Sequence, residues 1–484
     1  MKHAISRRQL IKTAALGGAG ALLAACGAPS TPQIIEVTRQ TVKEVQSTVQ
    51  VTTEVTQQVE VTKEVQVTAA PTAATKLTVW GSGLDLTQID KDPTGAGAAM
   101  KMHRDLFIAK HPGTTVVWED HGWDETLREN VTTALLGGTA PDVIVGENFF
   151  QAYAALNAML PIDDVIPPDV AKNSIVGTHK AAIYNGKIYG LSWLSGCFGF
   201  EMNGDLLKAA GLDQKVPGTW DEMLAVSKAV TDKGAGKFFG YTLQGPQGFS
   251  VGGMFRLAVY LQQLGVTINK PDAFDQPNFN DPKGFPVWDL VRKLNPYEPP
   301  GLVFESDEGK VYTQLFLGKS AQQVAGSWFV SWATANKFNN SVWGSVPIPQ
   351  GGKAASYVVG NVIYGVLSAS KAPDLAKDWV IISQNDKVQN LVFSSAGRLP
   401  STISAMNTLV ADTATGAGHP TDADKTFGKL LRDSDLGILP QWTKAPNQLN
   451  QIWNDLFTAV IQSKTDIKQL ADDAQTKAEA AMKA

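Results

Sequence analysis

From residue 76 onward the chain switches repeatedly between short apolar runs and stretches of helical period. Leu77-Thr78-Val79-Trp80 predicts a first strand, closed by a Gly81-Ser82-Gly83 turn. Residues 98–110 predict a helix that stops at Pro112-Gly113, and residues 114–119 predict a second strand. Leu127, Val131 and Leu135 lie four apart on one helix face, with Asp124 as the expected N-cap and Gly137-Gly138 as the stop. Asp142-Val143-Ile144-Val145 is apolar without alternation, the pattern of a parallel strand covered on both faces. Strand, helix, strand, helix, strand is the opening of an α/β fold. Further on, Thr219-Trp220-Asp221-Glu222 predicts a capping box after Pro217. Residues 342–347 and 361–368 predict strands, and Pro373 opens a helix reaching about Ser383. The chain from Gln448 onward reads as wholly helical.

The first 75 residues follow neither rhythm. Lys2, Arg7, Arg8 and Lys12 precede or enter a short apolar stretch that ends at Leu23-Ala24-Ala25-Cys26. Basic start, short apolar core and small residues at the exit are the parts of a signal peptide. The apolar run falls short of the ~20 residues a membrane-spanning helix needs. Ser6-Arg7-Arg8-Gln9-Leu10-Ile11-Lys12 resembles a twin-arginine export signal, and Leu-Ala-Ala-Cys resembles a bacterial lipobox. That resemblance implies cleavage before Cys26 and a diacylglyceryl thioether on its sulfur; the plainer alternative is a secretory peptide with an incidental cysteine. Two acyl chains hold a protein to a membrane where one is marginal.

Residues 27–75 contain no aromatic side chain. Val45, Val49, Val51, Val55, Val59, Val61, Val65 and Val67 all occupy odd positions, a period of two that favours extended chain. One valine stripe without a partner surface does not make a stable sheet. Residues 26–75 are therefore expected to be a lipid-anchored tether, with a self-associating stalk as the alternative.

Composition narrows the remaining body. Across the whole chain, 43% hydrophobic and 18% charged residues are those of a globular protein able to bury a core. The leader holds four cations and no acid, so its removal takes the formal charge from −4 to −8. No nucleic-acid partner is expected of such a balance. Two cysteines, Cys26 and Cys197, build neither a disulfide framework nor a cysteine zinc site. Cys197 borders an apolar run and is expected as a buried small hydrophobe. The six histidines are scattered, and no nucleophile elbow or phosphate loop is present, so neither metal nor cofactor is expected.

Several segments of the body, in order, resemble the family 1 extracellular solute-binding proteins, relatives of the maltose-binding protein. They are residues 77–82, His111-Pro112-Gly113, residues 137–144 (Gly-Gly-Thr-Ala-Pro-Asp-Val-Ile), residues 185–193, residues 203–212, Thr219-Trp220-Asp221-Glu222, Gly326-Ser327-Trp328 and Gly397-Arg398-Leu399-Pro400. The resemblance implies a two-lobed, type II periplasmic-binding-protein-like α/β fold with a ligand cleft between the lobes. It places lobe one at 76–200 and 347–395, and lobe two at 201–346 and 396–484. It also implies a monomer on the outer face of the cytoplasmic membrane that captures a sugar and passes it to the permease subunits of an ABC importer, without catalysis.

A sugar presents C–H faces and a rim of hydroxyls, so its site needs aromatic planes and convergent polar groups. Of the twelve tryptophans, Trp118, Trp220, Trp288 and Trp379 sit within predicted elements and are expected in cores. Trp80, Trp123, Trp193, Trp328 and Trp332, with Phe149, fall at strand ends or loops, where α/β clefts open, and are expected to line the cleft. The polar candidates are Glu119, Asp120, Asn148, Gln244, Asn361 and Arg398. Arg398 has a fork for two hydroxyls or a carboxylate, or for a structural ion pair. Maltose-binding relatives often carry an acid before the first lobe crossing; Gly196 stands there in this chain, which leaves the solute open. Other solutes, a secreted glycosidase and a surface scaffold are the alternative readings.

Overall fold

The computed structural model describes residues 75–81, 89, 91–95, 97–245, 252–270, 273–305, 307–357, 362–434 and 436–483. The chain divides into two units, Met1–Thr68 and Ala69–Ala484, and the architecture below is that of the second. The expected leader, Cys26, nearly all of the tether, the turn at Ser82-Gly83 and Asn361 lie outside the described residues.

The first sheet holds β1 (Lys76–Gly81), β2 (Thr115–Asp120), β3 (Val143–Gly146), β4 (Gly190–Leu194) and, from far along the chain, β8 (Val362–Val366). Its order is β2-β1-β3-β8-β4. β1 runs parallel to β2 and β3, whereas β8 is antiparallel to both β3 and β4. The Asp142–Val145 run is thus a buried strand, as its unbroken apolarity predicts, with one parallel and one antiparallel neighbour. The second sheet is β6 (Gln322–Gly326), β5 (Phe198–Asn203) and β7 (Ser341–Gly344), in that order and wholly antiparallel.

Each sheet has its own helices and core. The longer helices are α1 (Ala98–Lys110), α2 (Asp124–Gly137), α3 (Trp220–Gly234), α4 (Gly252–Gln263), α5 (Phe285–Leu294) and α6 (Glu308–Phe316). They continue with α7 (Pro373–Ile382), α8 (Asp386–Ala396), α9 (Ile403–Ala411), α10 (Asp422–Asp433), α11 (Pro446–Gln462) and α12 (Ile467–Ala481). Leu77 and Val79 face a core containing Phe107 of α1, Trp379 of α7 and Val392 of α8. Trp80 and Ile144 face the other way, onto Leu127 and Val131 of α2. The second core joins Phe198, Phe200 and Met202 of β5 to Trp288 of α5 and Trp453 and Phe457 of α11. Fully burying a large apolar side chain contributes roughly 1.5–3 kcal/mol. Trp220, Trp288 and Trp379 are buried, in line with their expected core role, whereas Trp118 is half-buried on β2 at the sheet edge.

Three local expectations are corrected. The N-cap of α2 is Trp123, without a side-chain cap, and Asp124 is already helical. Thr219 caps α3 by accepting from the Glu222 amide, but the Glu222 carboxylate takes the amide of Gly218, one residue outside the expected box. The C-terminal run is two helices, because Arg292 of α5 donates to the carbonyls of Val460, Ser463 and Thr465 and so satisfies the end of α11. Asp466 then caps α12. Gly138 ends α2 at φ 69°, a left-handed position suited to glycine. Thr219→Ala is expected to lower stability by about 1 kcal/mol, seen as a lower urea midpoint with an unchanged slope; an unchanged midpoint would refute the capping role.

The chain passes from the first sheet to the second between Leu194 and Phe198. There Ser195 and Leu399 exchange amide–carbonyl bonds of 2.7 and 3.2 Å, and the Ser195 and Ser401 hydroxyls lie 2.7 Å apart. Gln389 of α8 donates to the Trp193 carbonyl and accepts from the Ser401 amide. A hydrogen-bonded polar seam therefore joins the first crossing to residues 397–402. Among the described residues no helix is long and apolar enough to cross a membrane.

Candidate functional site

β4 ends in this seam, and β1 and β3 end on the same edge of the first sheet; β6 ends at the crossing too, its last residue Gly326 pairing with Phe198 at the start of β5. The ends of both sheets thus meet around one crossing. Ser327 follows β6, and its amide donates to the Cys197 carbonyl over 3.1 Å. Cys197 itself is fully buried, and burial pushes its thiol up to about 12, which keeps it protonated and inert. Trp328 comes next, half-buried, with its ring 6.1 Å from Phe198 and 5.5 Å from Phe329. A Cβ on Gly326 would lie 2.2 Å from the Trp328 indole, so only glycine lets the strand end pass so close beneath the ring.

Arg398 approaches that indole from the polar seam, its guanidinium carbon 5.5 Å from the ring centroid. This is cation–π distance. Its Nη1 is buried with no hydrogen-bond partner, and so is Ser327 Oγ. Burial pushes the Arg398 guanidinium below its ordinary value, and the Glu147 carboxylate draws it partly back. Glu147 is buried just past β3, and Asn148 beside it is half-buried.

A second cation lies against β5 of the second sheet. Arg256 of α4 stacks its guanidinium 4.0 Å from the Tyr312 ring and 5.1 Å from Phe198. The Tyr312 hydroxyl donates to Gln244 Oε1, while Gln244 Nε2 is buried without a partner. Arg398, Trp328, Phe198, Arg256, Tyr312 and Gln244 thus form one continuous row of polar and aromatic groups.

The expected site residues separate into three sets. Trp328, Arg398 and Asn148 come to the meeting of the two sheets, and Gln244 ends the row behind them. Trp332 stands 38% exposed on the short helix Phe329–Ala335 that follows Trp328, edge-on to Phe329. Trp80, Glu119, Asp120 and Trp123 gather at the β1–β2 edge. There Trp80 Nε1 donates to Glu119 Oε2 over 2.8 Å, and His121 stacks on the Trp80 ring at 3.5 Å, so that ring keeps only 7% exposure. Asp120 accepts from the Gly122 amide, and Trp123 is half-buried against the first core. Phe149 and Trp193 are corrections, since both are core residues. Phe149 packs with Phe150, Tyr153 and Trp80, and Trp193 stacks on Tyr364, which leaves neither a face for a solute.

The residues overlooked in sequence are Glu147, Phe198, Ser327 and Arg256. Arg256 carried a signal, as the lone cation in the otherwise apolar or neutral Gly252–Gln263 helix. A separate cavity of about 730 Å³ lies between residues 174–183 and the α10 end, lined by Ile175, Val176, Ile403, Leu436, Lys180 and Arg432. Its cations are already engaged, Lys180 by the Leu436 carbonyl and Arg432 by Asp433 and Asn407. It therefore lacks the poised polar groups found around Trp328. Among the described residues no group of three or more His, Cys, Asp or Glu side chains is placed to hold a metal ion.

Known proteins show the same architecture. The GacH receptor of Streptomyces glaucescens, solved unliganded and with acarbose, superposes with a TM-score of 0.65 at 18% identity, over 85% of this chain and 99% of that one. A cyclic alpha-maltosyl-1,6-maltose binding protein from Arthrobacter globiformis gives 0.68 at 18% identity, over 84% and 99%. These likenesses establish the fold as two α/β lobes. In sequence, the diacetylchitobiose binding protein DasA of Streptomyces coelicolor is 22% identical over 359 residues, 72% of this chain and 79% of that protein. Residues 91–390 match the model of the bacterial extracellular solute-binding proteins, and with that match spanning well over half its length the chain belongs to that family.

Proposed function

We propose that this chain is the solute-capturing lipoprotein of an ABC importer, holding a saccharide between its lobes and delivering it to the permease subunits. Its anchor is a lipid on Cys26, and residues 26–75 tether the body to the outer face of the membrane. The observation that carries the reading is the Trp328 indole, held at the meeting of both sheets with Arg398 over it and the unpartnered Ser327 hydroxyl before it. An aromatic plane beside unfilled donors suits a ring with C–H faces and hydroxyls. The ligand class comes from the relatives, whose names specify diacetylchitobiose and cyclic maltosyl-maltose and one of which was solved with acarbose. Trp328 follows β6 of the second sheet, whereas Arg398 stands beside Leu399, which pairs with Ser195 at the end of the first. A solute touching both stabilises the closed arrangement by the contacts it makes only there. The row of groups is suited to binding rather than catalysis.

Thermal unfolding of the protein against a panel of mono- and oligosaccharides, with polyols and polyamines as controls, tests this. A ligand at 100 times its Kd adds about 2.7 kcal/mol and raises the melting temperature. Trp328→Ala is expected to weaken the active saccharide tenfold or more, about 1.4 kcal/mol. A shift by polyamines alone, or a Trp328→Ala variant with full affinity, would remove the saccharide site from Trp328.

A further inference from the structure

We infer that the solute is acidic: a saccharide carrying a carboxylate, seated against Arg398. This rests on the reading of the Trp328 cleft as the solute site and sharpens it to a substrate class.

Two of the groups left without partners there, Arg398 Nη1 and Gln244 Nε2, can only donate, and the third, the Ser327 hydroxyl, can donate or accept. Arg398 presents five N–H groups in a planar fork and no acceptor. Its Nη1 is shut away from solvent with nothing to bond, and an unmet buried donor on a charged group is among the costlier defects a fold tolerates. Ser327 Oγ is buried and unpartnered beside the ring that Arg398 covers. Gln244, at the far end of the row, already spends its carbonyl on the Tyr312 hydroxyl, so its amide nitrogen is what remains. Ligand hydroxyls would meet such donors singly. A carboxylate meets a guanidinium in two parallel bonds of roughly twice the neutral strength.

The charge balance points the same way. Glu147 acts on Arg398, yet burial outweighs it and the guanidinium still sits below its ordinary value. A second carboxylate, brought by the ligand, would complete the compensation. The half-buried indole lies beside that guanidinium, so one uronate ring can meet the cation and the exposed part of the aromatic surface together. Because Arg398 belongs to the hinge seam and Trp328 to lobe two, the acid group would also lie where closure is sensed.

The test is calorimetric titration of the full chain with matched pairs: galacturonate against galactose, digalacturonate and trigalacturonate against neutral di- and trisaccharides, with sodium sulfate and acetate as simple anions. At least one acidic saccharide is expected to bind tenfold or more tighter than its neutral partner, and to weaken as salt is raised. Arg398→Gln should lose that preference at least tenfold. Glu147→Gln, which removes the competing carboxylate, should tighten the acid; this second variant keeps the proposal testable should Arg398→Gln fold poorly. Neutral saccharides binding as well as or better than every acidic one would overturn the inference and leave saccharide capture standing. Sulfate or acetate binding as tightly as the uronates would overturn the saccharide and keep the anion seat. No binding by any acidic probe would overturn the inference outright.

Discussion

Asp142→Ala is expected to lower the unfolding free energy by about 3–5 kcal/mol, the range seen when a buried, multiply bonded carboxylate is removed. Asp142 is 6% exposed at the head of β3. Its Oδ2 accepts from the Thr78 amide over 2.9 Å, which ties β3 to β1. Its Oδ1 accepts from the Ser370 hydroxyl at 2.7 Å and the amides of Lys371 and Ala372 at 2.9 and 3.3 Å, which ties the same point to the turn before α7. Alanine would strand the Thr78 and Lys371 amides; that of Ala372 keeps Ser370 Oγ at 3.1 Å. Asparagine would restore one acceptor and set an NH2 against the other donors, so only part of the loss should return. Because Asp142 sits at the end of β3 away from Trp328, the affinity of the folded variant for its solute should not change. Urea unfolding followed by tryptophan fluorescence decides the matter, and a loss below 1 kcal/mol would show that the staple is dispensable.

The fold was legible where a pattern has only one physical solution. The Asp142–Val145 run, Leu127 and Val131 on one helix face, and Pro373 at a helix head each allow a single reading, and each is found. The site was legible only in part. Trp328 and Arg398 follow Gly-Ser and Gly punctuation at chain crossings, which marks them as loop-borne. Trp193 and Phe149 were misread because both faces of the first sheet are covered by helices. Whether a side chain at a strand end meets a helix or the cleft depends on elements such as α8, some 190 residues further along. The same remoteness hid Arg292, whose donation to the carbonyls after α11 divides what the sequence pattern left continuous. Glu147 escaped notice because an acid at a strand end is ordinary until a cation from a distant crossing is brought near it.

Glu201→Gln is expected to stabilise the protein by roughly 3 kcal/mol at pH 7 and by almost nothing near pH 4.5. Glu201 is wholly buried on β5, between Gln323 of β6 and Ser341 of β7, and burial pushes its carboxyl up to about 8. Folding therefore holds a proton that the unfolded chain releases near 4.5. Its stability contribution is fully present below that value and is lost as pH rises toward 8. Buried Glu298, pushed up to about 9, adds the same slope. His103 and His179 act in the opposite direction, since burial lowers both to about 4. Their contribution is present above the unfolded value of 6.5 and is lost as pH falls through 4. Stability should thus peak at mildly acidic pH, between the two slopes. Glutamine removes only the Glu201 term. It can still accept from Ser341 and, with the Gln323 amide turned, donate to Gln323 Oε1, which is buried without a partner. The two histidines and Glu298 are common to both proteins, so the difference between variant and wild type isolates residue 201. That difference should grow from pH 4.5 to 8 and then level off in urea unfolding measured across the range. A difference that does not change with pH would mean that Glu201 stays ionised in the fold, with its two donors compensating the buried charge.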